Sequence, residues 1–257
     1  MSHVLTSSTS LASVNVAAKN TSPISNRRGS SLSLIAADTS HLARKQIETF
    51  IANGFATHYG AALSPSTFLP VLFALEVKGV KAAVGARFGV EDNMPAMLFI
   101  EQYLEHPVEA ALADKGINVQ RQHIVEVGNL FSSSSRYTLP LLLSLFFMLK
   151  QCGSEYLVFS ATTQLKQLLQ GAGIELVSLA CADASKLAPS ANNWGTYYDT
   201  APEVVAISLK SVTHHVTHSA SLNSYYQQAI GLISENATAL STNAYLSCLS
   251  KETSHVA

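Results

Sequence analysis

From residue 42 to residue 55 apolar side chains return at helical spacing: Leu42, Ile47, Phe50, Ile51 and Phe55 share one face, which predicts an amphipathic helix. Thr39 or Ser40 can cap its start, and Gly60 can end it. The period then changes. "FLPVLFALEVKGVKAAVGARFGV" predicts two strands joined at Lys78-Gly79, because glycine accepts the positive φ of a tight turn. "AMLFIEQYL" fits either a strand or a short helix, and "PVEAALADKG" predicts a helix with Pro107 near its first turn and Gly116 past its end. Beyond it strands and helices alternate. "HIVEVGNLF" is a strand, Leu139 to Lys150 a helix, "EYLVFSA" a strand, "TTQLKQLLQGAG" a helix and "IELVSLACA" a strand; "NNWGTYYDTAPEVVAISL" adds a loop and a final strand. That alternation implies crossover units around a mainly parallel or mixed sheet, an α/β (α+β) architecture.

The two ends read differently. Residues 1–40 are rich in Ser, Thr and Asn, with no period that would bury a face, and predict a flexible tail. The tail lacks the early basic cluster and compact apolar block of a secretory signal. Its shortage of acids keeps a transit peptide as the alternative, with only Arg27 and Arg28 as a basic pair. Residues 213–257 look helical but weakly amphipathic and predict a C-terminal appendage to a body spanning 41–212.

Composition narrows the function classes. In 257 residues, 47% hydrophobic content builds a sizeable core. The charged fraction of 13% and net charge of −1 offer no purchase on a polyanion, so no nucleic-acid partner is expected. The longest apolar run, Leu139 to Leu149, is broken by Pro140 and Ser144 and falls short of the ~20 residues of a spanning helix; it predicts a buried helix and no transmembrane segment. Cys152, Cys181 and Cys248 are odd in number and widely spaced, which predicts reduced, structural thiols.

The predicted order of helix, hairpin, strand with loop, helix, strand, helix, strand is similar to that of the GNAT acyltransferase fold. Within it, "FIEQYLEHPVEAAL", "IVEVGNLF", "LVFSATTQLKQLLQGAGIEL" and "NWGTYYDTAPEVVA" resemble the thermostable hemolysin family, itself a relative of the acyl-homoserine-lactone synthases, over about residues 42 to 208. The resemblance implies a GNAT-like domain with a mixed central sheet flanked by helices. It also implies a cytoplasmic acyltransferase with no tightly bound cofactor. Such an enzyme would move a fatty acyl group from acyl-CoA, or from the phosphopantetheine of an acyl carrier protein, to a small amine or amino-acid-derived acceptor.

That chemistry needs a cradle for a pantetheine arm, a base for the attacking amine and a proton donor for the departing thiolate. At the cradle position stands "NLFSSSSR": Asn129, Leu130 and Phe131 end the strand, Ser132, Ser133, Ser134 and Ser135 offer hydroxyls, and Arg136 offers a charge suited to phosphate. A solvated linker is the plainer reading. The family's usual Arg/Gln-x-x-Gly-x-Gly/Ala pattern, begun at Arg136, finds Leu139 and Leu141 in place of glycines. This departure makes a carrier protein at least as good a donor as acyl-CoA.

Strand alternation sets Glu126 opposite Val125 and Val127, so it faces a cleft if the valines face the core. It is then a base with a raised pKa, or a structural carboxylate paired with an arginine or a backbone N–H. Asn129 either binds a substrate carbonyl or pins the strand's bend. Glu101 is a second candidate acid or a solvent-facing residue, and Arg87 is a candidate partner for either acid. His58 and Tyr59 close the first helix, where the resemblance implies a substrate pocket. Trp194 and Tyr198 lie in "NWGTYYD", where a tyrosine can protonate the thiolate or simply cover the core. His214 and His218 stand one helical turn apart without a third ligand, so no metal is expected. A membrane-active, non-enzymatic hemolysin and a GNAT-fold protein that only binds a ligand remain the competing readings.

Overall fold

A computed structural model describes residues 32–187 and 193–250. In chain order the strands are β1 (Ser33–Ala37), β2 (Val71–Glu76), β3 (Val80–Phe88), β4 (Val90–Glu91), β5 (Met94–Pro95), β6 (Ile124–Ser132), β7 (Tyr156–Ala161), β8 (Val177–Cys181) and β9 (Glu203–Ser208). The α-helices are α1 (Arg44–Tyr59), α2 (Val108–Ala113), α3 (Ser135–Gln151), α4 (Thr163–Gly171), α5 (Leu209–His218) and α6 (Asn223–Ser241). Seven strands form one sheet in the order β1-β2-β3-β6-β7-β9-β8, and β4 pairs with β5 apart from it. The β6–β7 pair is parallel and the other neighbours are antiparallel, so the sheet is mixed. The GNAT-like order expected from the sequence is the order observed.

Alternation along β6 divides the core. Val125 and Val127 point into the main apolar cluster with α3, α5 and α6, whereas Ile124 points to a second cluster built on Leu98, Ile100, Tyr103, Val108 and Leu112. A third cluster lies under α1, where Ile47, Ile51 and Phe55 meet Leu72, Ala74 and Ala83 of the β2–β3 hairpin. The C-terminal helices are helical as expected, and they are seated on the main core through Tyr225, Ala229, Leu232, Ile233 and Leu240.

Several expectations are corrected. Part of the stretch read as a tail is ordered: Ser33–Ala37 form an edge strand in register with β2, Ser33 opposite Glu76 and Ala37 opposite Leu72. Residues 1–31, with the transit-peptide alternative, lie outside the described residues. Neither Thr39 nor Ser40 caps α1, whose N-cap is Ala43; the Ser40 N–H turns back to Asp38 Oδ1 at 2.8 Å. Leu42 precedes α1 and is fully exposed. Of the two readings of "AMLFIEQYL", the short helix is the one observed, as a 3-10 helix, Phe99–Tyr103. The helix expected from Leu139 begins four residues earlier, at Ser135. Cys152 and Cys248 are not free thiols. They are joined in a disulfide with Cα atoms 5.5 Å apart, tying the end of α3 to the 3-10 turn after α6, while Cys181 is free and exposed.

Candidate active site

The sheet opens where β6 leaves β7. Their parallel ladder runs from Ile124–Tyr156 through Val125–Leu157 to Glu126–Val158. β6 then follows β3 as far as Ser132, and β7 follows β9. A bulge drives the separation, because the β3–β6 register shifts between Ala83 and Gly85 and Asn129 takes a φ of 54°. Such a bulge bends a strand away from its neighbour. Asn129 is held there by its side chain: the Leu69 N–H donates to Oδ1 at 2.9 Å, and Nδ2 donates to the Thr67 carbonyl at 3.2 Å. Of its two anticipated roles, pinning the bend is the one the geometry displays. The resulting cleft opens into a cavity of about 710 Å³.

Glu126 lines this cavity and is 2% exposed. The Phe99 and Ile100 N–H groups donate to its two carboxylate oxygens, each at 2.9 Å, and Arg87 Nη1 stands 3.8 Å from Oε2. Burial raises the carboxyl pKa to about 7, against the opposing pull of the two N–H groups and the arginine. A carboxyl so placed changes charge near neutrality.

Glu101, by contrast, is committed to its neighbours. It accepts from the Leu98 and Val108 N–H groups and pairs with both terminal nitrogens of Arg121 at 2.7 Å. Burial alone would raise its pKa, but these bonds outweigh that effect and lower it. Arg121 also donates to Glu109 and to the Gly89 and Ala96 carbonyls, so the pair locks the 3-10 helix that presents its N–H groups to Glu126. Arg121→Met is expected to reduce unfolding free energy by about 3 kcal/mol, since it strands two carboxylates, read as a lower midpoint in denaturant unfolding.

The opposite wall is aromatic. Trp194 and Tyr197 arrive because residues 193–196 dock on the end of α1: the Ala62 N–H donates to the Asn193 carbonyl at 2.7 Å and the Thr196 N–H to the Tyr59 carbonyl at 2.8 Å. Gly195, at φ 53°, permits that docking, since a Cβ there would lie 1.8 Å from the Tyr59 carbonyl oxygen. Trp194 lies 5.7 Å from Tyr197 and 6.0 Å from Phe99, centroid to centroid, and Tyr59 lies 5.4 Å from Tyr197. The Tyr198 hydroxyl meets that of Tyr103 at 2.6 Å, and the Tyr197 hydroxyl meets Ser160 Oγ on β7 at 3.2 Å. Burial raises the pKa of Tyr59, Tyr103 and Tyr198, and that of Tyr197 to about 12. These phenols therefore stay protonated and can donate.

Ser132, Ser133, Ser134 and Ser135 form the other end of the cavity. Ser132 Oγ donates to the Ser134 carbonyl and Ser133 Oγ to the Lys81 carbonyl, folding the loop back on itself. Ser134 is the N-cap of α3 and makes no side-chain bond to it, so the first-turn N–H groups receive no cap from that hydroxyl. Because α3 starts at Ser135, Leu139 and Leu141 are helical residues and not part of a loop; Leu141 is fully buried. Neither leucine is in the cavity lining. Leu142 and Phe146 of α3 and Leu165 and Leu169 of α4 add apolar surface to the same cavity.

One cavity thus gathers Glu126, Asn129, Leu130, Phe131, all four serines, His58, Tyr59, Trp194 and Tyr198. Three candidates stand outside its lining. Arg136 is exposed, donates to the Tyr137 hydroxyl at 2.7 Å and lies across that ring. Arg87 meets Glu126 from outside the lining, and Glu101, within the 3-10 helix, is paired with Arg121. His214 and His218 stack on α5 with centroids 4.3 Å apart, and among the described residues no group of three or more metal-ligating side chains is gathered. Phe99, Tyr103 and Ser160 join the lining without having been expected there, and Tyr197 is, with Tyr198, one of the two tyrosines that "NWGTYYD" offered.

The family model for thermostable hemolysin matches residues 37–213. The chain belongs to the thermostable hemolysin family. Solved structures similar to this member of the family include the acyl-homoserine-lactone synthase LasI, at 12% identity and a TM-score of 0.48 over 70% of this chain and 91% of that one. FeeM, an N-acyl amino acid synthase from uncultured soil microbes, is 14% identical with a TM-score of 0.48, covering 72% of this chain and 95% of its own. The CoA-dependent acyl-homoserine-lactone synthase BjaI, with SAM and isopentyl-CoA, is 12% identical with a TM-score of 0.49, covering 78% and 90%. None of the curated proteins matches this sequence. No described helix of this family member is long and apolar enough to cross a membrane.

Proposed function

We propose that the protein is an N-acyltransferase that moves a fatty acyl group from a phosphopantetheine thioester to a small amine. The observation that carries this reading is the opened β6–β7 pair, with a buried carboxyl of near-neutral pKa in the wall of the cavity it creates. A pantetheine arm laid in the cleft would offer its amides to strand edges that no longer pair with each other. The first turn of α3 and the serine loop would hold the phosphate. The acyl chain would run between α3 and α4.

Glu126 takes a proton from the amine, whose nitrogen attacks the thioester carbonyl. The C–N bond forms, the C–S bond breaks, and the thiolate receives a proton from a neutral tyrosine of the wall. Tyr198 and Tyr197 are the candidates. Both acyl-CoA and acyl carrier protein present the same arm, and neither is held as a permanent cofactor.

Incubation with long-chain acyl-CoA or acyl carrier protein and a panel of amines is expected to release free thiol in an amine-dependent manner. Lysis of red cells without thiol release from either donor would overturn the reading in favour of a membrane-active protein. A cytoplasmic site of action fits donors of this kind. The Cys152–Cys248 disulfide favours an oxidising compartment, and the alkylation state of these cysteines in intact cells separates the two.

A further inference from the structure

We infer that the acceptor is an alkylamine or arylalkylamine that carries no carboxylate or phosphate, held by aromatic faces and drawn to one buried carboxylate. The inference rests on the acyltransferase reading and concerns the chemical class of the second substrate. Among the described residues the cavity is lined by one carboxylate, Glu126, by one histidine, His58, and by no lysine or arginine. Residues 188–192, next to the aromatic loop, read Ala-Pro-Ser-Ala-Asn and contribute no ionisable group.

The arginines closest in sequence to this machinery are used elsewhere. Arg87 Nη1 donates to the Met97 carbonyl at 2.9 Å beside Glu126, Arg121 serves Glu101 and Glu109, and Arg136 lies on Tyr137. An amino-acid acceptor would bring its carboxylate into the chamber of the Glu126 carboxyl, with no lysine or arginine in the lining to offset the lost hydration. An ammonium group meets the reverse situation. Glu126 attracts it, and the faces of Tyr59, Phe99, Trp194 and Tyr197 stabilise a cation.

Protons and bonds balance on this route. The ammonium nitrogen gives one proton to the Glu126 carboxylate and becomes nucleophilic. Amide formation moves a second proton to the departing sulfur, and Glu126 returns the first to solvent before the next turnover.

The test compares pairs that differ only in the α-carboxylate, phenethylamine against phenylalanine and tyramine against tyrosine, with one acyl-CoA donor. The amine of each pair is expected to show a kcat/KM higher by about 100-fold, the scale of a like-charge juxtaposition. Trp194→Leu keeps apolar volume and is expected to raise KM for phenethylamine about tenfold, the scale of a lost cation–π contact, with kcat changed much less than KM. Equal or better use of the amino acids would overturn the inference and leave the acyltransferase reading intact. Thiol release that no acceptor of either class accelerates would overturn both.

Discussion

Glu126→Gln is expected to lower amine-dependent thiol release by about 100-fold or more, the usual contribution of a positioned base. Glutamine keeps the length of the side chain and one acceptor for the Phe99 or Ile100 N–H, so far-ultraviolet circular dichroism should remain that of the parent. The pH dependence carries the sharper signature. A base must be ionised to act, and with a pKa near 7 the parent's kcat/KM should climb tenfold per unit below that value and level off above it. In Glu126→Gln this limb should vanish. A limb that persists would assign it to another group and remove Glu126 from the chemistry.

Stability moves the other way with pH. The folded carboxyl, at about 7, lies above its ordinary 4.5, so its favourable contribution is complete below about 4.5 and is lost as pH rises through 7. The condition that activates the site is thus the one that strains it.

The second large effect concerns the disulfide. Cys152 and Cys248 close a loop of 96 residues, and a crosslink over that span removes enough disorder from the unfolded chain to stabilise the fold by about 4 kcal/mol. Adding reductant, or replacing both cysteines by serine, should lower the thermal midpoint by about ten degrees in calorimetry. Thiol titration of the denatured, unreduced protein should find one group, Cys181, and three after reduction. Three from the outset would show that the bridge does not form.

How far the sequence could anticipate this site depends on whether each signal was local. Glu126 between Val125 and Val127 was legible because a strand's alternation is a property of adjacent residues. The positions of Asn129 and the serines followed from the strand and its loop. Glu101 was not legible as a structural anchor, since its partner Arg121 stands 20 residues away and nothing in "LFIEQYL" announces it. The strand Ser33–Ala37 hides in a serine-rich stretch and is fixed by β2, some 40 residues later. The start of α3 was displaced because Ser135, Arg136 and Thr138 look like loop residues, yet they open a helix whose apolar face begins at Tyr137. The Cys152–Cys248 pair is a fact of tertiary proximity, and spacing alone cannot pair three cysteines.

The divergence of β6 from β7 has a mechanical corollary. Two blocks of sheet, one carrying α1 and the other the aromatic loop's neighbours, share a seam only three residue pairs long. Any rotation about Ile124–Glu126 that changed the gape would work against the hydrogen bonds joining Ala62 to Asn193 and Thr196 to Tyr59, and Glu126, sitting at the last rung, would feel each change of aperture directly.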